Sequence, residues 1–569
     1  MSHVLGLQSD FCSLAQARTG TGKTLAFLIP VVQNLINHDP SLAVPTRSSH
    51  RRPQNGFGAL VISPTRELAE QIATEARKLT QHTGIMVQTA VGGQSKRLGL
   101  RQIQNGCDLL VGCPGRLKDI LSDPYCDVRA PGLSTFVLDE ADRLLEQGFE
   151  PEIQAIQRFL PDKSKVPRQT LLFSATVPQE VMPIVRTTLN KDFQYITTVQ
   201  KGEQPTHEKV PQKLVRVGGL EKQMTTLVEL CLRQVHEGKK ETPFKSIIFF
   251  PTVAEVRLAS KVLIGYQRSH QGGENLVWPR STRVIALHSQ LAQYQRSENA
   301  ASFKEADSAV LLATDVAARG MDFPNVTHVI QLGLPQAEEH YVHRIGRTAR
   351  AGKTGEAWLL ISDLERREVR NRLGKMPLTP DMSLSTPAMN TKRDSDHSDP
   401  FSANIHSKLL DVYKSVPEDD KSAAHISCLG VYQWLGDKNG LIEALNTRAT
   451  DAWGMEPPPI ASSLARKLGL LGAQGLRIDD RPPPRSMRDG GPPRRNSSWS
   501  TDRPRQSREY APRSSSSREY EPRSNFGQDY SPRSSSSREY APRSSSSREY
   551  SPRSGSSGSR RRATRPEPY

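Results

Sequence analysis

The stretch Thr135-Phe136-Val137-Leu138-Asp139-Glu140-Ala141-Asp142 decides the fold. Its first four residues, apolar or β-branched, predict a strand buried on both faces. The strand ends on two adjacent carboxylates, with a third two residues on. Acidic side chains at the carboxyl end of a parallel strand sit where an open α/β sheet binds its ligand. Taken alone, an acidic cluster after an apolar run is more often a solvated loop or a helix start. A second stretch, Ala17-Arg18-Thr19-Gly20-Thr21-Gly22-Lys23-Thr24, shifts that weighting. Its glycines let the backbone wrap a phosphate, and the N–H groups opening the helical run Leu25 to Ile36 point at it. Lys23 offers a charge to β and γ phosphates, and the Thr24 hydroxyl a ligand to Mg²⁺. The motif usually opens on Gly, where this chain has Ala17. Asp139, about 115 residues on, then takes the metal-side role, and Glu140 is placed to activate water for in-line attack.

Around these two stretches apolar strands alternate with helical runs. Ala59 to Ile62, Val87 to Val91, Leu109 to Val111, Thr135 to Leu138 and Thr170 to Phe173 read as strands, Glu67 to Thr80 and Glu180 to Leu189 as helices. The alternation predicts an α/β fold with a parallel sheet covered on both faces. Asp39 to Phe57, rich in Pro, Ser and Arg, reads as a surface insertion. The pattern repeats over Ser246 to Phe250, Val284 to Leu287, Ala309 to Ala313, Val326 to Gln331 and Ala357 to Ile361. The repeat lacks a Gly-Lys-Thr loop and is expected to be a partner lobe without a nucleotide of its own. The expected organisation is a first domain over 1–200, a linker over 201–212, a second domain over 213–370, a mostly helical extension over 371–480 and a tail over 481–569.

The 569 residues carry a net charge of +17, which suits a polyanionic partner. Residues 481–569 hold 20 Arg, no Lys and 9 acidic residues, so +11 of that charge lies in the tail. There a ten-residue unit recurs, beginning at Arg508, Arg518, Arg538 and Arg548, with too few apolar residues to offset the entropy of ordering, and disorder is expected. Six cysteines without C-x-x-C spacing read as ordinary thiols in a reducing compartment. No apolar run reaches the roughly 18 residues of a membrane span, so no membrane partner is expected.

The boxes so far resemble those of the DEAD-box RNA helicases, whose signature is Asp139-Glu140-Ala141-Asp142. The family's other blocks follow in its order: Pro64-Thr65-Arg66-Glu67-Leu68-Ala69, Gly92-Gly93, Pro114-Gly115-Arg116, Ser174-Ala175-Thr176, Ala313 to Asp322, and His343-Arg344-Ile345-Gly346-Arg347-Thr348-Ala349-Arg350. The resemblance covers about residues 15 to 365 and implies two tandem RecA-like domains and RNA-stimulated hydrolysis of ATP with Mg²⁺. It implies that Lys23, Glu140, Arg347 and Arg350 are catalytic, the arginines acting as fingers from the second domain. Ala17 to Thr24 and Asp322 would bind ATP, Asp322 through the ribose, while Thr24 and Asp139 hold the metal. Asp142, Ser174, Thr176 and His343 would couple hydrolysis to RNA binding. RNA would be gripped through its backbone, without sequence preference, by Thr65, Arg66, Gly93, Gly115 and Arg116 in the first domain. In the second domain Thr252, Gln293, Arg296, Thr314 and Arg319 would do so. The family usually has Thr where Cys113 stands and Asn where Pro251 stands.

The segment Arg319-Gly320-Met321-Asp322-Phe323-Pro324-Asn325-Val326 is similar to the fungal mitochondrial members that assist group I and group II intron splicing. So are Glu456-Pro457-Pro458-Pro459-Ile460 and Lys467-Leu468-Gly469-Leu470. That resemblance implies a monomeric mitochondrial RNA chaperone acting in splicing and translation, although Met1 to Gln16 shows no transit-peptide pattern. Nucleus or cytoplasm is the alternative location. The family's adenine-reading Gln and upstream aromatic lie farther back than this chain reaches, so it reads as truncated at its amino terminus. The alternative function is therefore an RNA-binding protein with impaired ATPase. A DNA translocase is disfavoured by Ala141 within the four-residue box.

Overall fold

The computed structural model describes residues 12–17, 22–45, 56–176, 181–198, 210–237, 243–269, 278–279, 281–315, 321–350, 353–389 and 399–480. Arg18, Thr19, Gly20 and Thr21 of the phosphate loop, Arg319, most of the linker and the whole repeat tail lie outside the described residues.

Seven parallel strands form the first sheet: β1 (Ser13–Gln16), β2 (Ala59–Ile62), β3 (Val87–Ala90), β4 (Leu109–Gly112), β5 (Thr135–Leu138), β6 (Gln169–Ser174) and β7 (Gln194–Thr197). Their order is β3-β4-β2-β5-β6-β1-β7. The second sheet holds β8 (Gln212–Gly218), β9 (Lys245–Phe249), β10 (Arg283–Leu287), β11 (Ala309–Ala313), β12 (His328–Leu332), β13 (Glu356–Ser362) and β14 (Leu378–Pro380), ordered β10-β11-β9-β12-β13-β8-β14. The two orders are the same when strands are numbered within each lobe. The lobes are therefore two copies of one RecA-like architecture. The second copy ends on β14, inside the segment read from sequence as helical extension.

Apolar runs become strands because both faces are covered. Leu60, Ile62, Phe136 and Leu138 pack into one core and Ala59, Val61 and Val137 into the other, as expected of a sheet sandwiched between helices. Strand order then sets the site. β5 and β1 flank β6, with Thr135 opposite Gln169 and Ser13 opposite Leu171. At ~4.8 Å per strand, the ends of β5 and β1 stand about 10 Å apart with the Ser174 strand between them. Asp139, Ser174 and the phosphate loop thus emerge side by side from one sheet edge.

The extension is continuous with the second lobe. Ile405, Leu409 and Val412 of the helix Pro400–Ser415 join the core that contains Val262 and Tyr266 of the helix Val253–Ser269. Gly265 permits this approach, since a β-carbon there would stand 2.8 Å from Val412 Cγ1. The helices Glu418–Val431 and Lys438–Thr447 follow, and Arg448–Ala452 closes them in a π turn.

Candidate active site and nucleic-acid interface

Gly22 caps the helix Lys23–His38 with φ +89° and nothing within 4 Å of its missing side chain, so the left-handed backbone, not crowding, demands glycine. That geometry starts the helix so that Lys23 Nζ is buried and, among the described residues, without a hydrogen-bond partner. Glu140 also adopts a left-handed conformation, φ 49°, rare for a side chain with a β-carbon and a sign of stored strain. Its Oε2 is buried and likewise has no partner among the described residues. Asp139 Oδ1 accepts the Glu140 N–H at 3.0 Å. Burial pushes the Asp139 carboxyl up to about 7; Lys23 works against this, while Glu140 and Asp142 add to it. The cluster is thus short of positive charge, and Thr24, half-buried in the first turn of the helix that Lys23 opens, offers one more hard oxygen of the kind Mg²⁺ takes. A buried orphan ammonium, a buried orphan carboxylate oxygen and this oxygen set fit a triphosphate carrying Mg²⁺.

The second lobe closes over that edge. His343 Nε2 lies 3.8 Å from Asp142 Oδ2, which also accepts Thr176 Oγ1 at 3.0 Å. Ser174 Oγ in turn donates to the Thr176 carbonyl. Arg143 donates to the Asp315 carbonyl at 3.4 Å, and His340 lies 3.5 Å from both Glu146 and Asp315. Arg347 is buried and donates to the Met321 carbonyl at 2.8 Å; burial first, and Arg350 second, lower its basicity. Arg350, aimed by the left-handed Ala349 (φ 52°), pairs with Asp322 at 2.8 Å. The charge of Glu140 bears on both arginines across the lobe boundary. Arg344 is spent within its own lobe on Asp315, at 2.7 and 3.0 Å. Burial opposes ionisation of Asp315, but Arg344 and His340 hold it well below the usual carboxylate range.

The candidate RNA contacts fall in two groups. One is knitted across the lobes: Arg66 Nη1 donates to Gln293 at 3.4 Å, Gln293 donates to Glu67 at 3.1 Å, and Arg296 pairs with Glu67 at 2.8 Å. Gly93, φ +80°, lets the Arg66 guanidinium lie where a β-carbon would be only 2.5 Å from Nη1. Thr65 caps the helix Arg66–Leu79 by accepting the Leu68 N–H. In the second group the contacts stay within one lobe: nothing lies within 4 Å of Gly115's missing side chain, and Arg116 donates to the Gln94 carbonyl at 3.1 Å. Cys113, in place of the family's Thr, leaves the helix Pro114–Leu121 without a side-chain cap. Thr252 Oγ1 is 2.9 Å from Ser427 of the extension, and Thr314 lies at the end of β11. Sequence reasoning gave no role to Glu67, nor to Gln71, whose Oε1 accepts the Asp322 N–H at 3.1 Å. Glu67 stands within the quoted Pro64 to Ala69 block; for Gln71 the sequence carries no signal.

Fold and site define a nucleoside-triphosphate hydrolase whose phosphate-binding lobe and arginine-bearing lobe meet at one sheet edge. Family profiles match at residues 3–184, DEAD/DEAH box helicase, and 222–352, helicase conserved C-terminal domain. The ATP-dependent RNA helicase mss116, mitochondrial, of Aspergillus fumigatus is 48% identical over 476 residues, 82% of this chain and 71% of that one. The ATP-dependent RNA helicase cyt-19, mitochondrial, of Neurospora crassa is 42% identical over 502 residues, 87% and 78% of the two chains. A solved structure of Mss116p bound to ssRNA and AMP-PNP superposes with a TM-score of 0.67 at 28% identity, covering 84% of this chain and 90% of that one. The chain belongs to the DEAD-box family of ATP-dependent RNA helicases and hydrolyses ATP. No helix among the described residues is long and apolar enough to cross a membrane.

Proposed function

We propose that this helicase acts on structured RNA in mitochondria, as a monomeric chaperone for group I and group II intron splicing and for translation. Lys23 binds the β and γ phosphates, and Glu140 takes the proton of the attacking water. Arg347 and Arg350 neutralise charge that develops on the γ-phosphoryl group, which is where phosphoryl transfer needs most help. Thr24 and Asp139 would hold Mg²⁺, which supplies further neutralisation of the phosphates. Asp322 meets the ribose. Asp142, Ser174, Thr176 and His343 link this chemistry to the RNA loops, because the same carboxylate joins both lobes. Thr65, Arg66, Gly93, Gly115, Arg116, Thr252, Gln293, Arg296 and Thr314 grip one RNA strand by its backbone, so lobe closure separates short duplexes without reading bases.

The observation that carries the mechanism is the pair of buried atoms without partners among the described residues, Lys23 Nζ and Glu140 Oε2, with the Glu140 charge bearing on two arginines that the opposite lobe holds in place. The mitochondrial names of the relatives support the location. Crosslinking of RNA to the protein in cells, followed by sequencing, tests the reading. Enrichment of intron-containing mitochondrial transcripts is expected. Recovery of nuclear or cytosolic RNA alone overturns the proposed location and role.

A further inference from the structure

The helix Val253–Ser269 begins Thr252-Val253-Ala254-Glu255, a pattern that in a capping box satisfies two backbone donors reciprocally. Only half of the box forms. Thr252 Oγ1 accepts the Glu255 N–H at 3.1 Å. The Glu255 carboxylate does not return the bond. It is buried, and its Oε1 takes Arg448 Nη1 at 2.9 Å and the Cys428 thiol at 3.1 Å, both from the extension. Arg448 Nη2 also reaches Cys428 Sγ at 3.1 Å, and its guanidinium lies 4.6 Å from the centre of the Trp453 ring.

The Thr252 hydroxyl also lies 2.9 Å from the Ser427 hydroxyl of the extension, which itself is 2.9 Å from the Ala424 carbonyl. Among the described residues the N–H groups of Thr252, Val253 and Ala254 have no acceptor. These three donors sit at the positive end of a 17-residue helix, a backbone cradle for an anion.

We propose that Arg448 and Cys428 of the extension hold the Glu255 carboxylate off the start of this helix and thereby keep the cradle open to an RNA phosphate. The inference rests on the reading of Thr252 as an RNA contact. Released from Arg448, the carboxylate has its box partner three residues away. There it fills the Thr252 N–H and sets a negative charge against the incoming phosphate. Arg448 and Cys428 are therefore positioning residues that tune RNA affinity through Glu255.

The test uses the full chain, a fluorescein-labelled ten-nucleotide oligouridylate and a non-hydrolysable ATP analogue. Arg448→Met is expected to weaken RNA binding about tenfold, the scale of one hydrogen bond to a charged group. Its ATPase kcat at saturating RNA should stay at the wild-type level, which a general loss of structure would not allow. The double variant Glu255→Gln/Arg448→Met should recover wild-type affinity, since the competing charge has gone. Thr252→Asp checks the underlying reading: Asp retains the helix cap but places a carboxylate in the cradle. Wild-type RNA affinity in Thr252→Asp means that no phosphate sits there, and the reading of Thr252 falls together with the proposal. Weakened binding in Thr252→Asp, with no loss in Arg448→Met or no recovery in the double variant, overturns the proposal alone. Glu255→Gln by itself must bind RNA at least as tightly as wild type; weaker binding also overturns it, whether or not Arg448→Met folds.

Discussion

Arg350→Ala separates a finger from a surface ion pair, because the two roles differ in size. In the ground state Arg350 makes one contact with the half-exposed Asp322 and one with the Gly346 carbonyl. An exposed pair of this kind contributes about 0.2–1 kcal/mol, so the melting temperature should fall by no more than about 2 °C. In the closed transition state the same guanidinium faces charge on the γ-phosphoryl group. There a finger is worth on the order of 10³-fold in rate, or roughly 4 kcal/mol at 1.36 kcal/mol per decade. Turnover measured with saturating ATP and saturating single-stranded RNA should therefore drop by about three decades. RNA affinity without nucleotide should stay within about threefold, since the open lobes do not use this contact. Equal losses in turnover and in nucleotide-free binding would make Arg350 an RNA contact and refute the assignment.

Glu140→Gln keeps the side chain's size and the fit to ATP but removes the base, and turnover should fall by about 10²–10⁴-fold while filter binding of ATP persists; wild-type turnover excludes Glu140 from proton transfer. Burial, with Arg448 adding to it, pushes His425 down to about 4. The unfolded chain, with a histidine near 6.5, binds the proton first, so this stability is complete above pH 6.5 and is lost as pH falls toward 4. Unfolding free energies from urea titrations at pH 7 and pH 5 should differ by about 2 kcal/mol through this residue, and His425→Gln should flatten that slope. Deletion of 481–569, which removes +11 of the net charge, should weaken binding to a long structured RNA and reduce its salt slope, while ATPase with a short saturating RNA holds. Matching salt slopes for the two chains would make the tail a passive appendage.

The strands most legible in the sequence are those buried on both faces, such as Ala59–Ile62 and Ala309–Ala313, where every residue is apolar. Several that it concealed are short, polar or half-exposed. β7 alternates half-buried and exposed residues, β8 turns Arg216 outward, and β14 has three residues ending in proline. In the site, the phosphate loop and Asp139-Glu140 were legible because their chemistry needs fixed residue types at fixed local spacing. The bonds of Glu67 to Gln293 and of Gln71 to Asp322 were not. They cross 226 and 251 residues of chain, and only the meeting of the lobes brings them together. The diversion of Glu255 was hidden for a similar reason: Thr252 to Glu255 reads locally as a complete capping box, and Arg448 lies 193 residues away.

Because the two sheets share one strand order, their outer edges can be compared strand for strand. β14 offers a passing chain little to pair with: three residues, the last without an N–H. β7, its counterpart, has four residues and no proline; the Gln194 N–H is spent on the Cys12 carbonyl at the head of the neighbouring strand, and Tyr195 stands exposed. Unpaired edges of this kind template intermolecular sheets and domain swaps. Aggregation in partly opened protein should therefore nucleate on the first lobe, and a lysine at Tyr195 would blunt that edge at a position the site does not use.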